Sequence, residues 1–302
     1  MDNGSSDGSA ELVRGNYPEV RLLVLPENLG FAGGNNAGIR AASGLYIALL
    51  NNDTKTDPEW LATLARSAEG RPGIGMWASK ILSFTDPDVI DNVGLLIYRD
   101  GLARGKGRLE HDRGQYDLQN EVLLPSGCAA LYRKAMLDEI GLFDEAFFAY
   151  ADDVDLGLRG RLAGWGCVFV PAAKVYHKYS ASSSAYSPLK AFLVERNRIW
   201  VLLKYFPLTF IVLSPYYTFK RMLLHLYGGI TGRGASGKFI AQHSGLKVAG
   251  VLIRAWWSAF SILIPIIRQR LDFKKKTRLS RSAFIQLLNQ YGISASEIAL
   301  KD

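Results

Sequence analysis

Carboxylates in two short stretches are the residues of this 302-residue chain best suited to chemistry. The first stretch is Asn51-Asn52-Asp53, which directly follows the apolar run over residues 47–50. Such a run is typical of a buried parallel strand that delivers polar groups at its carboxyl end. Ligands bind at that end of open α/β sheets, and an Asp there can hold a divalent cation and, through the cation, a diphosphate. An Asx-turn after a strand is the simpler alternative.

The second stretch contains Asp152, Asp153 and Asp155, between an aromatic run and a predicted helix over residues 156–163. Capping by Asp152 and a favourable helix dipole would account for one or two of these carboxylates. Three within four residues raise one another's pKa, and a raised pKa is what a general base near neutral pH needs. We therefore expect a general base here.

His177 is the third candidate, at the end of a short extended run. A lone histidine is usually structural or merely exposed. As a ligand beside Asp53 it would suit a divalent cation, and imidazole favours Mn²⁺ over Mg²⁺.

Charge divides the chain into two unlike parts. Residues 1–189 carry 18 Lys and Arg against 24 Asp and Glu, whereas residues 190–302 carry 18 against 4. A nucleic-acid binder that is basic throughout would not divide in this way, so we expect no nucleic-acid partner. A basic, aromatic-rich second part fits binding to an anionic membrane surface. Cys128 and Cys167 form no CxxC pair, and a reducing compartment is the default.

The elements that must position these residues alternate between strand and helix, which predicts a mostly parallel α/β sheet flanked by helices. The predicted strands include residues 20–25, 46–50, 75–81, 167–170 and 173–177, with Pro171 as a stop between the last two. A Gly/Asn-rich loop over residues 26–36 precedes a helix predicted from Asn36, and Asp57 caps another. Residues 82–121 are predicted to be loop-rich.

Beyond Leu189 the chain becomes apolar, aromatic and basic, which predicts a domain boundary between residues 1–188 and 189–302. Residues 199–219 and 246–267 are each about as long as a membrane span. Proline, lysine and arginine interrupt both, so we expect helices lying in the bilayer interface rather than clean spans. A soluble helical cap packed on the sheet is the alternative.

Three segments together resemble the family 2 glycosyltransferases, in particular the rhamnosyltransferase-like branch. They are ENLGFAGGNNAGIRAASGLYIALLNNDT, GCAALYRKAMLDEIGLFDEAFFAYADDVDLGLRGRLAGWG and VYH. The resemblance implies a GT-A fold and inverting transfer of a sugar, with rhamnose as a candidate, from a nucleoside-diphosphate donor. It also implies a lipid-linked or polysaccharide acceptor, and a place at the cytoplasmic face of the bacterial inner membrane, peripheral or integral.

Site roles follow from the same resemblance. Asp53 matches the last Asp of the family's DxD element, with Asn51 in place of the first, and His177 would complete a Mn²⁺ or Mg²⁺ site. Asp153 matches the Asp of the family's ED pair, which is the proposed base, and Asp152 stands where Glu is usual. The implied donor-side residues are Asp2, Asn28, Gly30, Phe31, Asn35, Asn36, Asn52 and Asp53. The implied acceptor-side residues are Gly127, Arg159 and Trp165.

One departure from the family pattern concerns the beginning of the chain. In the family, the segment that matches Asp2 follows a strand and a helix, and those are missing here. A missing strand would leave an exposed sheet edge. A misplaced gene start and a truncated, inactive form are both open explanations, so a non-catalytic membrane-bound scaffold is the rival hypothesis. A nucleotidyltransferase is disfavoured, because no Gly-rich basic loop suited to a triphosphate lies near the amino terminus.

Overall fold

The computed structural model describes residues 1–178, 187–234 and 245–301. Up to residue 178 the elements are α1 (Ser9–Asn16), α2 (Gly30–Ala41), β1 (Tyr46–Leu50), β2 (Thr54–Thr56), α3 (Trp60–Ala68), β3 (Ile74–Ser83), β4 (Ile90–Asn92), β5 (Leu95–Ile97), β6 (Ala103–Gly105), β7 (Ala129–Arg133), α4 (Lys134–Ile140), a 3₁₀ turn (Glu145–Phe147), α5 (Asp152–Leu162) and β8 (Gly166–His177). The later elements are α6 (Pro188–Tyr205), α7 (Leu208–Thr231), α8 (Gly245–Ser261), α9 (Leu263–Lys274), α10 (Arg281–Gln290) and α11 (Ala295–Leu300).

The main sheet is mixed, and the prediction of a mostly parallel sheet is wrong. Its strand order is β1–β7–β3–β8–β2, with β4 paired to the end of β3. Among these strands only β3 and β8 pair in parallel. Strands β1 and β3 do run in the same direction, as the alternation of strand and helix predicts, because β7 is antiparallel to both. What alternation does not reveal is that β7 inserts between them.

Strand β8 is continuous, whereas the sequence predicted two strands separated by Pro171. The register with β3 jumps from Ser79 opposite Val170 to Lys80 opposite Lys174. The irregularity accommodates Pro171, which has no backbone N–H to donate to a regular ladder. The strand therefore runs on to His177 and delivers it at the far end.

Two local predictions near the amino terminus are also wrong. Residues 20–25 form no strand, and only Val24 makes an isolated parallel bridge with Asp2. The predicted loop over residues 26–36 is mostly the first half of α2, which begins at Gly30. Glycines there let the helix lie close to its neighbours: a Cβ on Gly34 would contact Asn3.

The sheet is buried on both faces, which explains why β3 is a nearly continuous apolar run. Met76 and Ala78 pack in a core that includes Ile39 of α2, while Trp77 between them packs with Leu64 of α3 on the opposite face. Alternate side chains of one strand thus fix helices on both sides. This sandwich holds the ends of β1, β2 and β8 in place.

The helices after Ser187 pack against this sandwich. Trp200 of α6 shares a core with Phe147 and Leu158. The apolar stretch over residues 199–219 is divided between α6 and α7 around Pro207. No described helix is by itself long and apolar enough to cross a bilayer, whereas α8 and α9, which meet at a bend of 57°, reach that length and composition together.

Candidate active site

The segment Ser126-Gly127-Cys128, just before β7, lies between the two carboxylate stretches. Cys128 accepts a hydrogen bond at its carbonyl from the Asn51 amide (2.9 Å), at the end of β1. The neighbouring Gly127 amide donates to Asp153 Oδ2 (2.9 Å). The structure therefore brings together the end of β1 and the start of α5, which are far apart in the sequence.

Asp53 lies beside His177 because β2 and β8 pair with Thr54 opposite His177. Asp53 Oδ1 is 3.4 Å from His177 Nε2, and Asp91 Oδ2 is 2.7 Å from His177 Nδ1. Arg108 in turn pairs with the other oxygen of Asp91 at 2.8 Å. Burial opposes protonation of the imidazole, but the hydrogen bond and charge of Asp91, with the charge of Asp53, raise the pKa of His177 above its ordinary value.

The Asp53–His177 pair fits a divalent cation. Asp53 Oδ1 is buried and, apart from the His177 ring 3.4 Å away, has no hydrogen-bond partner among the described residues. A carboxylate oxygen and an imidazole nitrogen are a ligand pair that Mn²⁺ accepts. Within the described ranges no cluster of three or more His, Cys, Asp or Glu is arranged to hold a metal. Remaining ligands would then come from water or phosphate oxygens, as is usual for cations bound with a phosphate substrate.

Asp152 and Asp153 occupy the first turn of α5, which begins earlier than predicted. Ala151 is the N-cap, so the prediction that Asp152 caps the helix is wrong. Asp152 is 3% exposed, and its Oδ2 has no hydrogen-bond partner. Burial, followed by the charge of Asp153, raises the pKa of Asp152 well above its ordinary value.

Asp153 is held more firmly than Asp152. Besides the bond from Gly127, its Oδ1 accepts from the Val154 amide at 2.8 Å. Burial raises the pKa of Asp153, and the hydrogen bonds from the Gly127 and Val154 amides limit the rise. A partly exposed carboxylate with a raised pKa and a fixed orientation has the properties of a general base.

Asp155 has a different role. It is fully buried and forms ion pairs with Arg159 of its own helix and Lys204 of α6, and it accepts from the Tyr205 hydroxyl. Burial alone would raise the pKa of Asp155, but the charges of Lys204 and Arg159 lower it. The third carboxylate therefore joins α5 to α6.

The predicted donor-side residues surround the start of α2. Asn28 Oδ1 accepts from the Gly30 amide (2.8 Å) and from Asn3 Nδ2 (3.1 Å), and Asn3 Nδ2 also donates to the Gly30 carbonyl. Asp2 Oδ2 accepts from the Ser5 amide, and bonding to Ser5 lowers the pKa of Asp2.

Phe31 connects this donor-side cluster to the base. A Cβ on Gly127 would lie 3.0 Å from Phe31 Cζ and 3.3 Å from Asp153 Cβ. No side chain larger than hydrogen fits there without displacing one of them. Gly127 therefore lies between Phe31 on the donor side and the predicted base, Asp153.

Two predicted donor-side asparagines make structural bonds. Asn36 is 1% exposed, donates to the Phe143 carbonyl and to Glu145, and accepts from the Phe143 amide. Both amide hydrogens are thus used, so its role is to tie α2 to the turn before α5 rather than to contact a ligand. Asn35 donates to the Phe31 carbonyl within its own helix, and Asn52 is exposed beside Asp53.

Arg159 and Trp165, predicted on the acceptor side, are not brought to this site. Arg159 is buried, and besides Asp155 it donates to the carbonyls of Ile140, Gly141 and Leu142. Trp165 directly precedes β8 and donates to Glu139. His177 lies at the other end of that 12-residue strand, and a strand of such length spans about 35 Å.

Asp91, Asn3 and Asn197 were not predicted. Asp91 lies in the loop-rich stretch over residues 82–121. No periodic pattern there marks a carboxylate that would orient a ligand. Asn197 belongs to the sequence Glu195-Arg196-Asn197-Arg198 and donates to three carbonyls before α5. An Arg-Asn pair just before the apolar stretch over residues 199–219 was the signal available for it.

Comparison with known proteins agrees with this geometry. Residues 1–141 match the model of Glycosyl transferase family 2. The N-acetylglucosaminyl-diphospho-decaprenol L-rhamnosyltransferase of Mycobacterium tuberculosis is 28% identical over 226 residues, covering 67% of this chain and 72% of that protein. The O-antigen biosynthesis protein RfbC of Myxococcus xanthus is 29% identical over 175 residues, covering 56% of this chain and 14% of that protein.

Among solved structures, GalNAc-T7 with UDP, GalNAc and Mn²⁺ aligns with a TM-score of 0.52 and 15% identity, over 66% of this chain and 39% of that one. At that identity the likeness concerns the fold alone, a GT-A-like α/β arrangement with a mixed sheet flanked by helices. Family model and relatives point the same way: residues 1–141 match the family 2 glycosyltransferases, and the chain is similar to the rhamnosyltransferases among them.

Proposed function

We propose that this glycosyltransferase is metal-dependent and inverting, and that it transfers a sugar from a nucleoside-diphosphate donor to a lipid-linked or polysaccharide acceptor. The observation that carries the proposal is the placement of Asp53 and Asp153 on either side of residues 126–128. Asp53 offers a buried oxygen 3.4 Å from His177 Nε2, and Asp153 offers a carboxylate fixed by the Gly127 amide.

Asp53 and His177 would hold Mn²⁺ or Mg²⁺, and the bound cation would offset the charge of the leaving diphosphate. Such a cation would also offset the charges of Asp53 and Asp153, which would otherwise repel an anionic donor. GalNAc-T7, which shares the fold, was solved with UDP and Mn²⁺. The cluster of Asn3, Asn28 and Gly30 would bind the donor beside this pair.

Asp153 would accept the proton of the acceptor hydroxyl while the hydroxyl oxygen attacks the anomeric carbon. The bond from that carbon to the diphosphate oxygen breaks as the new glycosidic bond forms, with attack from the opposite face. The configuration is inverted and no covalent enzyme intermediate is needed. Burial would keep the pKa of Asp153 raised, and the charge of Asp153 would raise the pKa of its buried neighbour Asp152.

The helical part over residues 189–302 would bring the enzyme to the membrane. On α7, exposed apolar side chains recur along one stripe that includes Val212 (76% exposed), Phe219 (63%) and Ile230 (78%). Trp257 of α8 is 80% exposed next to an exposed arginine, Arg254. Apolar and aromatic groups with nearby cations suit the interface of an anionic bilayer. The Mycobacterium tuberculosis relative is named for a decaprenol-linked acceptor, which fits catalysis at the cytoplasmic face of the inner membrane.

The test is a transfer assay with a panel of donors. Purified enzyme with Mn²⁺ would be offered dTDP-rhamnose, UDP-GlcNAc and GDP-mannose, each with a polyprenyl-diphosphate-linked GlcNAc acceptor. One donor should yield an extended lipid-linked product whose new linkage has the opposite anomeric configuration. Retention of the anomeric configuration would exclude the inverting mechanism. If folded enzyme, purified without bound nucleotide, transferred no sugar from any donor, the result would favour the non-catalytic scaffold.

A further inference from the structure

The loop before α5 is strained. Phe148, Tyr150 and Ala151 have positive φ angles of 65°, 66° and 60°, although none of them is glycine. The Ala149 amide donates to the Phe147 carbonyl at 2.8 Å, which closes a three-residue turn around Phe148. Such a backbone conformation is costly for a residue other than glycine and persists only where the surroundings impose it. Something outside the loop must therefore hold it.

Asn197 of α6 holds the loop. Its side chain is fully buried, and Nδ2 donates to the carbonyls of Phe147 (3.1 Å), Ala149 (2.8 Å) and Tyr150 (2.7 Å). Its Oδ1 accepts from Arg196 Nε at 2.8 Å. The same arginine donates to the carbonyls of Ala146 and Phe147. One amide group thus satisfies carbonyls that neither a helix nor a sheet would pair.

The loop determines where the carboxylates of α5 lie. The Ala151 carbonyl accepts the first helical bond of α5, from the Asp155 amide at 2.9 Å. Asp152 and Asp153 follow immediately, and Asp153 reaches the Gly127 amide. The loop also faces the donor side, because the Phe148 carbonyl accepts from the Ala32 amide of α2. A shift of the loop would therefore move the base relative to the donor.

We infer that Asn197 is a positioning residue for the Asp152–Asp153 carboxylates, supplied to the active site by the helical region after residue 188. This inference rests on the role proposed for Asp153 as the base. Within the described residues, the side chain of Asn197 hydrogen-bonds to loop carbonyls and to Arg196, so it acts through the loop and not on the substrate.

The Gly127 amide is a reporter of this positioning that needs no substrate. It is distant from Asn197 in sequence and donates to Asp153. Amide hydrogen exchange would be followed by NMR on ¹⁵N-glycine-labelled protein, comparing wild type with Asn197→Ala. Asn289→Ala, an exposed asparagine of α10, is the matched control. Should the alanine variant fail to fold, Asn197→Ser keeps one hydrogen-bond donor and replaces it.

Asn197→Ala should speed exchange of the Gly127 amide by about tenfold or more, while the control variant exchanges at the wild-type rate. Such a change reports a local opening of the structure rather than global unfolding. Metal-dependent nucleotide affinity should change by less than about twofold, while kcat falls by about 10²-fold, as small misplacements of catalytic groups do. Unchanged Gly127 exchange would overturn the inference, as would faster exchange with undiminished kcat. If Asn197→Ala speeds exchange of the Gly127 amide but the wild-type protein transfers no sugar, the positioning role of Asn197 is supported. Only the proposed chemistry is then contradicted.

Discussion

His177 Nε2 lies 3.4 Å from Asp53 Oδ1, and the other nitrogen of the same ring is held by Asp91. When Nδ1–H donates to Asp91, loss of the proton from Nε2 would leave the lone pair of that nitrogen available to a cation beside Asp53. Asp91 thus selects the tautomer and the ring orientation that a metal ligand requires. The arrangement joins the residue before β2, the middle of β4 and the end of β8.

The first prediction concerns Asp91. In Asp91→Asn, the affinity for Mn²⁺ should fall by about 10- to 100-fold, because the loss of an orienting carboxylate has effects of this size at metal sites. Calorimetric titration with MnCl₂ would measure it, with Asp88→Asn, an exposed neighbour, as the control. Equal Mn²⁺ affinity in both variants would show that Asp91 does not orient His177 for a metal.

The second prediction concerns the base. Asp153→Asn should lower kcat for transfer by about 10²- to 10⁴-fold, the range that general-base catalysis contributes. Nucleotide binding should change little, since the residue contacts Gly127 and its own helix. Asp138→Asn, which alters an exposed carboxylate paired with Lys134, should retain full activity. Transfer by Asp153→Asn at the wild-type rate would exclude Asp153 as the base.

The third prediction concerns pH and Asp152. Its pKa is raised by burial in the folded protein, so folding is favoured while the carboxyl is protonated, below its unfolded pKa of about 3.9. That contribution is lost as pH rises through the folded pKa. Compared with Asp152→Asn, wild type should therefore lose thermal stability between pH 4 and pH 8. Melting curves across this range would measure the difference in melting temperature between the two proteins, at about 2–4 °C per kcal/mol. A difference that does not change with pH would contradict the prediction.

The fourth prediction compares two glycines. Gly30 has φ 72°, and a Cβ there would overlap the Phe148 carbonyl oxygen, whereas Gly70 has φ 67° with no neighbouring atom within 4 Å. Gly70→Ala should cost only the left-handed backbone penalty, about 1–2 kcal/mol. Gly30→Ala adds a clash with the strained loop and should cost at least twice as much in urea unfolding. Equal costs would mean that the contact between Gly30 and Phe148 is unimportant.

The fifth prediction concerns the exposed stripe of α7. Val212→Glu combined with Ile230→Glu should reduce co-flotation with phosphatidylglycerol-containing vesicles by about tenfold, because two apolar groups and their burial in the interface are lost. Leu118→Glu is the control, since Leu118 is 96% exposed but lies in the loop-rich stretch over residues 82–121, outside the helical part. Undiminished flotation of the double variant would show that α7 does not face the membrane.

The sequence marked the short stretches that carry carboxylates more clearly than it marked the tertiary arrangement. Asp53 after an apolar strand and the Asp152–Asp153 pair could be recognised because their signals lie within a few residues. The insertion of β7 between β1 and β3 could not, since strand direction and order depend on contacts across about eighty residues. Arg159 and Trp165 show the same limit: they follow the carboxylates closely in sequence, but α5 and β8 carry them away from the site.

The measurement that tests the central claim most directly is nucleotide binding with and without metal. Wild type and Asp53→Asn would be titrated calorimetrically with UDP, dTDP and GDP, in the presence of MnCl₂ and then of EDTA. We predict that wild type binds one of these nucleotides only when Mn²⁺ is present, and that Asp53→Asn loses this binding while remaining folded. Binding that survives EDTA, or that is equal in the two proteins, would contradict a metal-held diphosphate at Asp53 and His177.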